Sequence, residues 1–505
     1  MEGRPSQKPK TTHVGDNNPS VTNPDSLDGA LSFEQGSPSY TTTAWTSRTR
    51  PCLQADIISL IAAFIPGMFI TWGYEPYDTD YIKYAKAVLA FSQISRLFRE
   101  VALHTQTLWS KIMVNTYGEG KRIAFPWELF IARSRMAPLS VLWYAYDTEI
   151  DYGAIDFALL FNSTGRWKEL YLMTRSSFFK FLSSFKASDD TPSLPALEAF
   201  WAPDLKICSI HDDVPFLAPS LRHLSTNNPT VFEIWAPTLV SFATDLYVGY
   251  YNDPQDIFDR FKAFLGICPL LESLWIEADD ESSDVLDGLD HKYIDLPSVK
   301  TLRVDFCDAN SPRLLGIFLQ SMHMVNLETL ELRDFEGDDA SFADMFRNLE
   351  FASHVRSLTL HAEVTAKGAY KPVPFRSIDE KFCSVSSLTV SRWTCTDQIR
   401  GCHFPHLRRL VVEWPLRGRL TGGPMPSVAD AKTTVEDVLE FLQNRSNSDG
   451  EEDYEPFHLI LCGYGLAADD DEVKRIVWEA GDKLVFEAHP SAEPFYSFVP
   501  PYAYR

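Results

Sequence analysis

Positive charge is scarce in this chain: 46 Lys and Arg stand against 69 Asp and Glu, a net charge of −23. Phosphate neutralisation dominates affinity for nucleic acids, so no DNA or RNA partner is expected. Close cysteine pairs are missing as well. The eight cysteines (Cys52, Cys208, Cys268, Cys307, Cys383, Cys395, Cys402 and Cys462) contain no Cys-x-x-Cys. Secreted disulfide scaffolds are short and cysteine-dense, so free thiols in a reducing compartment are expected. No apolar run is long enough for a bilayer: the stretch from Ile57 to Trp72 has sixteen residues with Pro66-Gly67 inside it, against about 20 needed. A buried helix explains it better, and no membrane association is expected. The first residues, MEGRPSQKPKTTHVGDNNPS, lack the apolar core of a signal peptide, which predicts a cytoplasmic or nuclear location.

Chemical motifs are equally sparse. There is no Gly-x-Ser-x-Gly elbow, His-Glu-x-x-His helix or Gly-rich phosphate loop, so no catalytic residue and no cofactor are expected. Cys395, Cys402, His403 and His406 crowd one region, but their spacing matches no usual zinc arrangement, and buried thiols with loop histidines explain them without a metal. Acidic runs such as Asp469-Asp470-Asp471-Glu472 read as solvated loop charge.

What the chain does have is length and apolar residues: 505 residues, 45% of them hydrophobic, enough for two or three domains. Residues 1–50, rich in Ser, Thr, Pro, Asn and Gly, cannot bury enough surface to order themselves and are expected to be a disordered tail. From Leu53 the pattern changes. Ile57, Leu60, Ile61, Phe64 and Ile65 share one helical face, expected to end at Pro66-Gly67. After an aromatic insert, Trp72 to Tyr81, the residues Ala87, Phe91, Ile94, Phe98 and Val101 step by 4, 3, 4 and 3 and predict a second amphipathic helix.

Beyond residue 160 one pattern keeps returning, apolar-x-x-apolar-x-apolar, often preceded by proline. Its clearest copies centre on Leu274, Leu302, Leu330, Leu358, Leu388 and Leu410, spaced 28, 28, 28, 30 and 22 apart; looser copies lie at Leu170, Phe200, Leu224 and Phe242. Each copy reads as a strand. Helical stripes fall between them: Ile257 to Cys268, then Leu314, Phe318 and Met322, then Phe342 to Leu349, then Val435 to Leu442. One strand and one helix per unit is the arithmetic of a leucine-rich-repeat horseshoe, with parallel strands on the concave face and helices outside. The ninth-position Asn or Cys of such repeats is matched only by Cys307, so the solenoid is irregular, and chance recurrence of leucine is the competing explanation.

Residues 51–113 resemble an F-box, on the strength of LQADIISLIAAFI followed by AVLAFSQISRLFREVALHTQTLWSKI; Gln54 stands where that family has proline. An F-box followed by irregular leucine-rich strands resembles the F-box proteins of mushroom-forming fungi. The resemblance implies docking on the Skp-family adaptor of a cullin-scaffolded ubiquitin ligase, with the repeats holding an unknown protein substrate. Docking asks for an apolar patch completed by a partner, and Leu53, Ile57, Ile58 and Ile61 suit it; the alternative is that this helix packs on the first repeat. Phe91, Ile94, Phe98 and Trp109 form the expected inward stripe of the small domain.

The expected fold class is therefore α/β: a disordered tail (1–50), a short helical F-box-like domain (51–113) and an irregular leucine-rich-repeat solenoid (120–505). Alternation puts Trp275, Glu277, Arg303, Asp305, Glu331, Arg333 and His361 on the strand face turned away from the core, the candidate substrate surface. Trp275 is the expected exposed anchor, unless a neighbouring loop covers it. Three functions compete: ligase substrate receptor, scaffold that never meets a ligase, and enzyme with an unrecognised site.

Overall fold

The computed structural model describes residues 55–69, 78–115, 125–145, 158–174, 193–202, 216–226, 234–247, 254–279, 293–306, 316, 319–335, 350–362, 375–391, 397–413, 428–449, 456–462, 475, 478 and 484–489. The tail expected at 1–50 and Leu53 lie outside these residues.

Three helices open the described chain: α1 (Ala55–Phe69), α2 (Asp78–Gln93) and α3 (Arg96–His104). Helix α1 runs through Pro66, which the sequence reading had as its end. A proline removes the bond from its own N–H to the carbonyl four residues back, and so close to the terminus the helix absorbs that loss. The second expected helix is in fact two. Ser95, in extended conformation, accepts a bond from the Phe98 N–H and caps α3, so the stripe from Ala87 to Val101 is broken at Ile94. That break turns Ile94 outward.

Among the described residues, fourteen strands form one sheet in which every neighbouring pair is parallel. They are β1 (Lys111–Asn115), β2 (Leu139–Ala145), β3 (Trp167–Thr174), β4 (Ala199–Ala202), β6 (His223–Thr226), β8 (Ser241–Tyr247), β9 (Ser273–Asp279), β11 (Thr301–Phe306), β13 (Thr329–Phe335), β14 (Ser357–Ala362), β15 (Ser387–Ser391), β16 (Arg409–Glu413), β17 (Phe457–Cys462) and β18 (Leu484–His489). They stand in chain order. The two-residue strands β5 (Phe216–Leu217), β7 (Ile234–Trp235), β10 (Ile294–Asp295) and β12 (Met322–His323) pair among themselves as β5–β7 and β10–β12.

The register explains the sequence spacing. Leu274, Leu302, Leu330, Leu358, Leu388 and Leu410 are successive cross-strand partners, each buried, so the interval between central leucines is the length of one turn of the chain. Leu170, Phe200, Leu224 and Phe242 continue the same row upstream. A single apolar core runs from Ile58 in α1 to Leu484 in β18, shared by the helices and all fourteen strands of the long sheet. The protein is a mixed α/β chain whose long parallel sheet is consistent with a leucine-rich-repeat-like solenoid.

Six repeats enter their strands through the same proline turn. Leu197, Leu221, Leu239, Leu271, Val299 and Leu407 donate their N–H groups to the carbonyls of Leu194, Ala218, Ala236, Cys268, Leu296 and Phe404 three residues earlier. The second residue is proline in all six (Pro195, Pro219, Pro237, Pro269, Pro297, Pro405), where its fixed φ suits the turn, and the outer two residues are buried. Phe404 holds φ 35°, a left-handed backbone that favours glycine. The Asp379 carboxylate secures it by accepting from the His403 and Phe404 N–H groups at 2.7 and 2.6 Å.

The third residue of the turn, which follows proline in three cases and Val325 in the fourth, links one repeat to the last. Ser220 Oγ donates to the Pro195 carbonyl (2.7 Å), Thr238 Oγ1 to Pro219 (2.8 Å), Ser298 Oγ to Pro269 (2.8 Å) and Asn326 Nδ2 to Pro297 (2.7 Å). Cys307, the one match to the ninth position of the repeat, lies outside the described residues. Two residues further on, Glu272, Lys300, Glu328 and Arg356 follow one another through backbone bonds with alternating sign, and Lys300 pairs with Glu272 at 3.3 Å. Such exposed pairs contribute little individually.

Helices α4 (Trp127–Ser134) and α5 (Ala158–Phe161) precede β2 and β3. Helices α6 (Pro254–Gly266), α7 (Phe375–Lys381) and α8 (Val428–Asp449) precede β9, β15 and β17. Phe261, Phe264 and Leu265 of α6, and Val435 and Val438 of α8, face the core, in line with the stripes in the sequence. Met322, grouped there with a helix, sits in β12, while Leu314, Phe318 and the stripe from Phe342 to Leu349 lie outside the described residues.

Candidate functional site

Side chains alternate across a strand, so the residues between the core positions share the opposite face. On β9, β11, β13 and β14 this brings Trp275, Glu277, Arg303, Asp305, Glu331, Arg333 and His361 onto adjacent strands of one surface. The exposure expected of them is corrected by the structure. Trp275 is 6% exposed, and Arg303, Arg333 and His361 are similarly buried.

They are buried because they engage one another. The Arg303 guanidinium stands 3.8 Å from the centre of the Trp275 ring. It also donates twice to Asp305, Nε to Oδ1 at 2.9 Å and Nη2 to Oδ2 at 2.7 Å. On the neighbouring strand β13, Arg333 Nε donates to Glu331 Oε1, and His361 Nε2 on β14 lies 3.7 Å from the same oxygen. On β16, Glu413 senses both charges: burial pushes its carboxyl above the usual range, Arg333 draws it back and Glu331 adds to the rise. Each arginine shares a strand with its carboxylate two residues away, the spacing that keeps both on one face.

An aromatic pair lies upstream on the same surface. Tyr171 and Trp201, register partners on β3 and β4, stack with ring centres 4.4 Å apart and planes 7° off parallel. The sequence signal was available in the Leu197, Phe200, Ala202 pattern, whose alternation turns Trp201 outward, but the looseness of that copy hid it.

On α1 the placement differs from expectation in one residue that matters. Ile57 and Ile61 are exposed, and Leu60 and Phe64 extend the same strip, Phe64 being 64% exposed. Ile58 is fully buried beside Ala62 and Ile65, so it belongs to the core and not to an outward patch. Successive residues of a helix are 100° apart, and Ile58 falls on the inner side. In the expected inward stripe, Phe91 is buried and packs edge-on against the half-buried Phe98 with ring centres 5.0 Å apart. Trp109 is fully buried, donates Nε1–H to the Ala102 carbonyl at 2.7 Å and carries Arg133 over its ring at 4.4 Å. Ile94, at 62% exposure, is outside that core.

Among the described residues no three His, Cys, Asp or Glu side chains converge to hold a metal ion, and no helix is long and apolar enough to cross a membrane. Cys395 lies outside the described residues; Cys402 is half-buried, and His403 and His406 are exposed.

No protein-family model matches the chain, and no curated protein matches it. Among solved structures it is similar to an internalin of Listeria monocytogenes, at 12% identity over 65% of this chain and 87% of that chain, with a TM-score of 0.25. A likeness at that score carries no argument, and the solenoid stands on its own strand register.

Proposed function

We propose that this chain is a non-catalytic protein-interaction scaffold, in which the parallel sheet offers the face opposite its core to a protein partner. The observation that carries the reading is one row of register partners turned from the core, in which Trp201 and Glu331 keep solvent exposure and the buried Tyr171, Trp275 and Arg303 hold the surface in place between and beside them. A surface of this kind suits an extended protein ligand better than a small molecule, which needs an enclosed cavity. The test is capture by the purified full chain, compared with variants altered only on that face, such as Trp201→Ala. Partners lost with the face variant and retained by a variant on the opposite side support the reading; identical capture by both rejects it.

A second reading is favoured by one observation on α1. Ile57, Leu60, Ile61 and Phe64 present an apolar strip to solvent, as the F-box resemblance of residues 51–113 requires of an adaptor-docking helix. In this reading the chain is the substrate-recognition subunit of a cullin ubiquitin ligase in the cytoplasm or nucleus, bound through a Skp-family adaptor. Binding of purified adaptor to the full chain tests it. Phe64→Asp should abolish that binding, and a chain that ignores the adaptor leaves the scaffold reading alone.

A further inference from the structure

At the C-terminal end of the sheet, Arg408, Arg409, Pro456, His458, Ile460 and Glu487 line an open hollow on the face turned from the core. Arg409 and His458 are direct register partners on β16 and β17, so their side chains stand side by side about 4.8 Å apart at the backbone. Arg408 and Arg409 are both exposed, and Arg408 adds a second guanidinium to the same rim. One step along the strands, Val411 and Ile460 form a small apolar cluster with Cys462 that is separate from the main core. The acidic groups lie toward the apolar end: Glu487 on β18 lines the hollow as the register partner of Ile460, one strand from His458, and Glu413 is four residues along β16 from Arg409.

We infer that this hollow binds an anionic oxygen group, phosphoryl or carboxylate, on a peptide whose neighbouring apolar side chain rests on Val411 and Ile460. Two guanidiniums and an imidazole in one hollow concentrate donors in a chain whose net charge is −23. Guanidinium geometry matches a bidentate oxyanion, and the apolar platform beside it gives the adjoining residue a place to bury. Glu487 beside Ile460 and Glu413 one step beyond disfavour a second anion at the apolar end, so the fit is one acidic group followed by an apolar residue. The inference rests on the reading that this face binds protein, and it names the chemistry of one end of it.

The test uses the full chain and three labelled peptides identical but for one residue before a leucine: phosphoserine, glutamate or serine. Fluorescence anisotropy should show binding of the phosphoserine and glutamate peptides and none of the serine peptide, the ratio of the first two telling phosphoryl from carboxylate. Inorganic phosphate should compete, and Arg409→Gln should weaken binding by about tenfold to a hundredfold, the usual loss of a charge-assisted hydrogen bond. Arg376→Gln, at an exposed arginine on α7, should leave it unchanged. Equal binding of all three peptides, equal losses in the two arginine variants, or no binding of any peptide overturns the inference. Because these probes are short peptides, their failure alongside intact capture of protein partners condemns the hollow and spares the scaffold; loss of both condemns the scaffold as well.

Discussion

The Arg303 guanidinium lies 3.8 Å over the Trp275 ring, one strand away and in direct register with it. Asp305 holds the guanidinium from its own strand through two hydrogen bonds, so the indole is capped by a cation that cannot swing aside without leaving its carboxylate. Trp275 is thus a fixed part of the sheet surface. A stacked cation on a largely desolvated ring contributes about 0.5–2 kcal/mol.

A double-mutant cycle on Trp275→Leu and Arg303→Gln should therefore give a coupling of about 0.5–2 kcal/mol in chemical unfolding. Strictly additive losses would mean that ring and guanidinium are neighbours without attraction.

The proline-turn ladder makes a separable contribution. Ser298→Ala and Asn326→Ala each remove one hydrogen bond to the preceding repeat and should each cost about 1 kcal/mol, read as a lower urea midpoint with unchanged slope. The two sites are 28 residues apart in neighbouring repeats of a stack whose units touch only their neighbours, so a deficit in the double variant larger than the sum would show coupling through the shared interface.

Helix α1 offers a contrast within two turns. Ile58→Asp places an uncompensated charge in the core and should lower the melting temperature sharply or prevent folding, by the several kcal/mol that an unpaired buried charge costs. Phe64→Asp, on the exposed strip, should change stability by no more than about 0.5 kcal/mol. Equal damage from both would place Phe64 in the core.

Glu413 gives the protein a pH dependence of definite sign. Burial, its largest influence, raises its carboxyl above the usual range, so the folded state binds that proton more tightly than the unfolded one. Its contribution is fully present below the ordinary carboxylate value of about 4.3 and is lost as pH rises through the raised value. Glu413→Gln cannot ionise, so its melting temperature relative to the parent should rise between about pH 4 and pH 8. A constant difference across that range would show that Arg333 fully offsets the burial.

Strand positions were legible in the sequence because the central leucines lie on one row, and a parallel stack repeats its spacing in the chain. The inward side of α6 and α8 was legible for the same reason: a single apolar stripe has one way to be buried. The break at Ser95 was less so, since an unbroken apolar period across Ile94 concealed a cap that is read only from the serine. Ile58 failed for a related reason. A helix with apolar residues on most of its surface carries no internal mark of which side meets the rest of the chain.

By itself, the sequence determined the local and the periodic: turns where proline fixes φ, strands where apolar residues alternate, and a register set by equal spacing. Only the tertiary structure decided what covers each surface. Trp275 became a buried partner of Arg303 because parallel register set the two side by side, and Ile94 became exposed because a cap turned one helix into two. Burial depends on neighbours from distant parts of the chain, and a pattern within one segment carries no information about them.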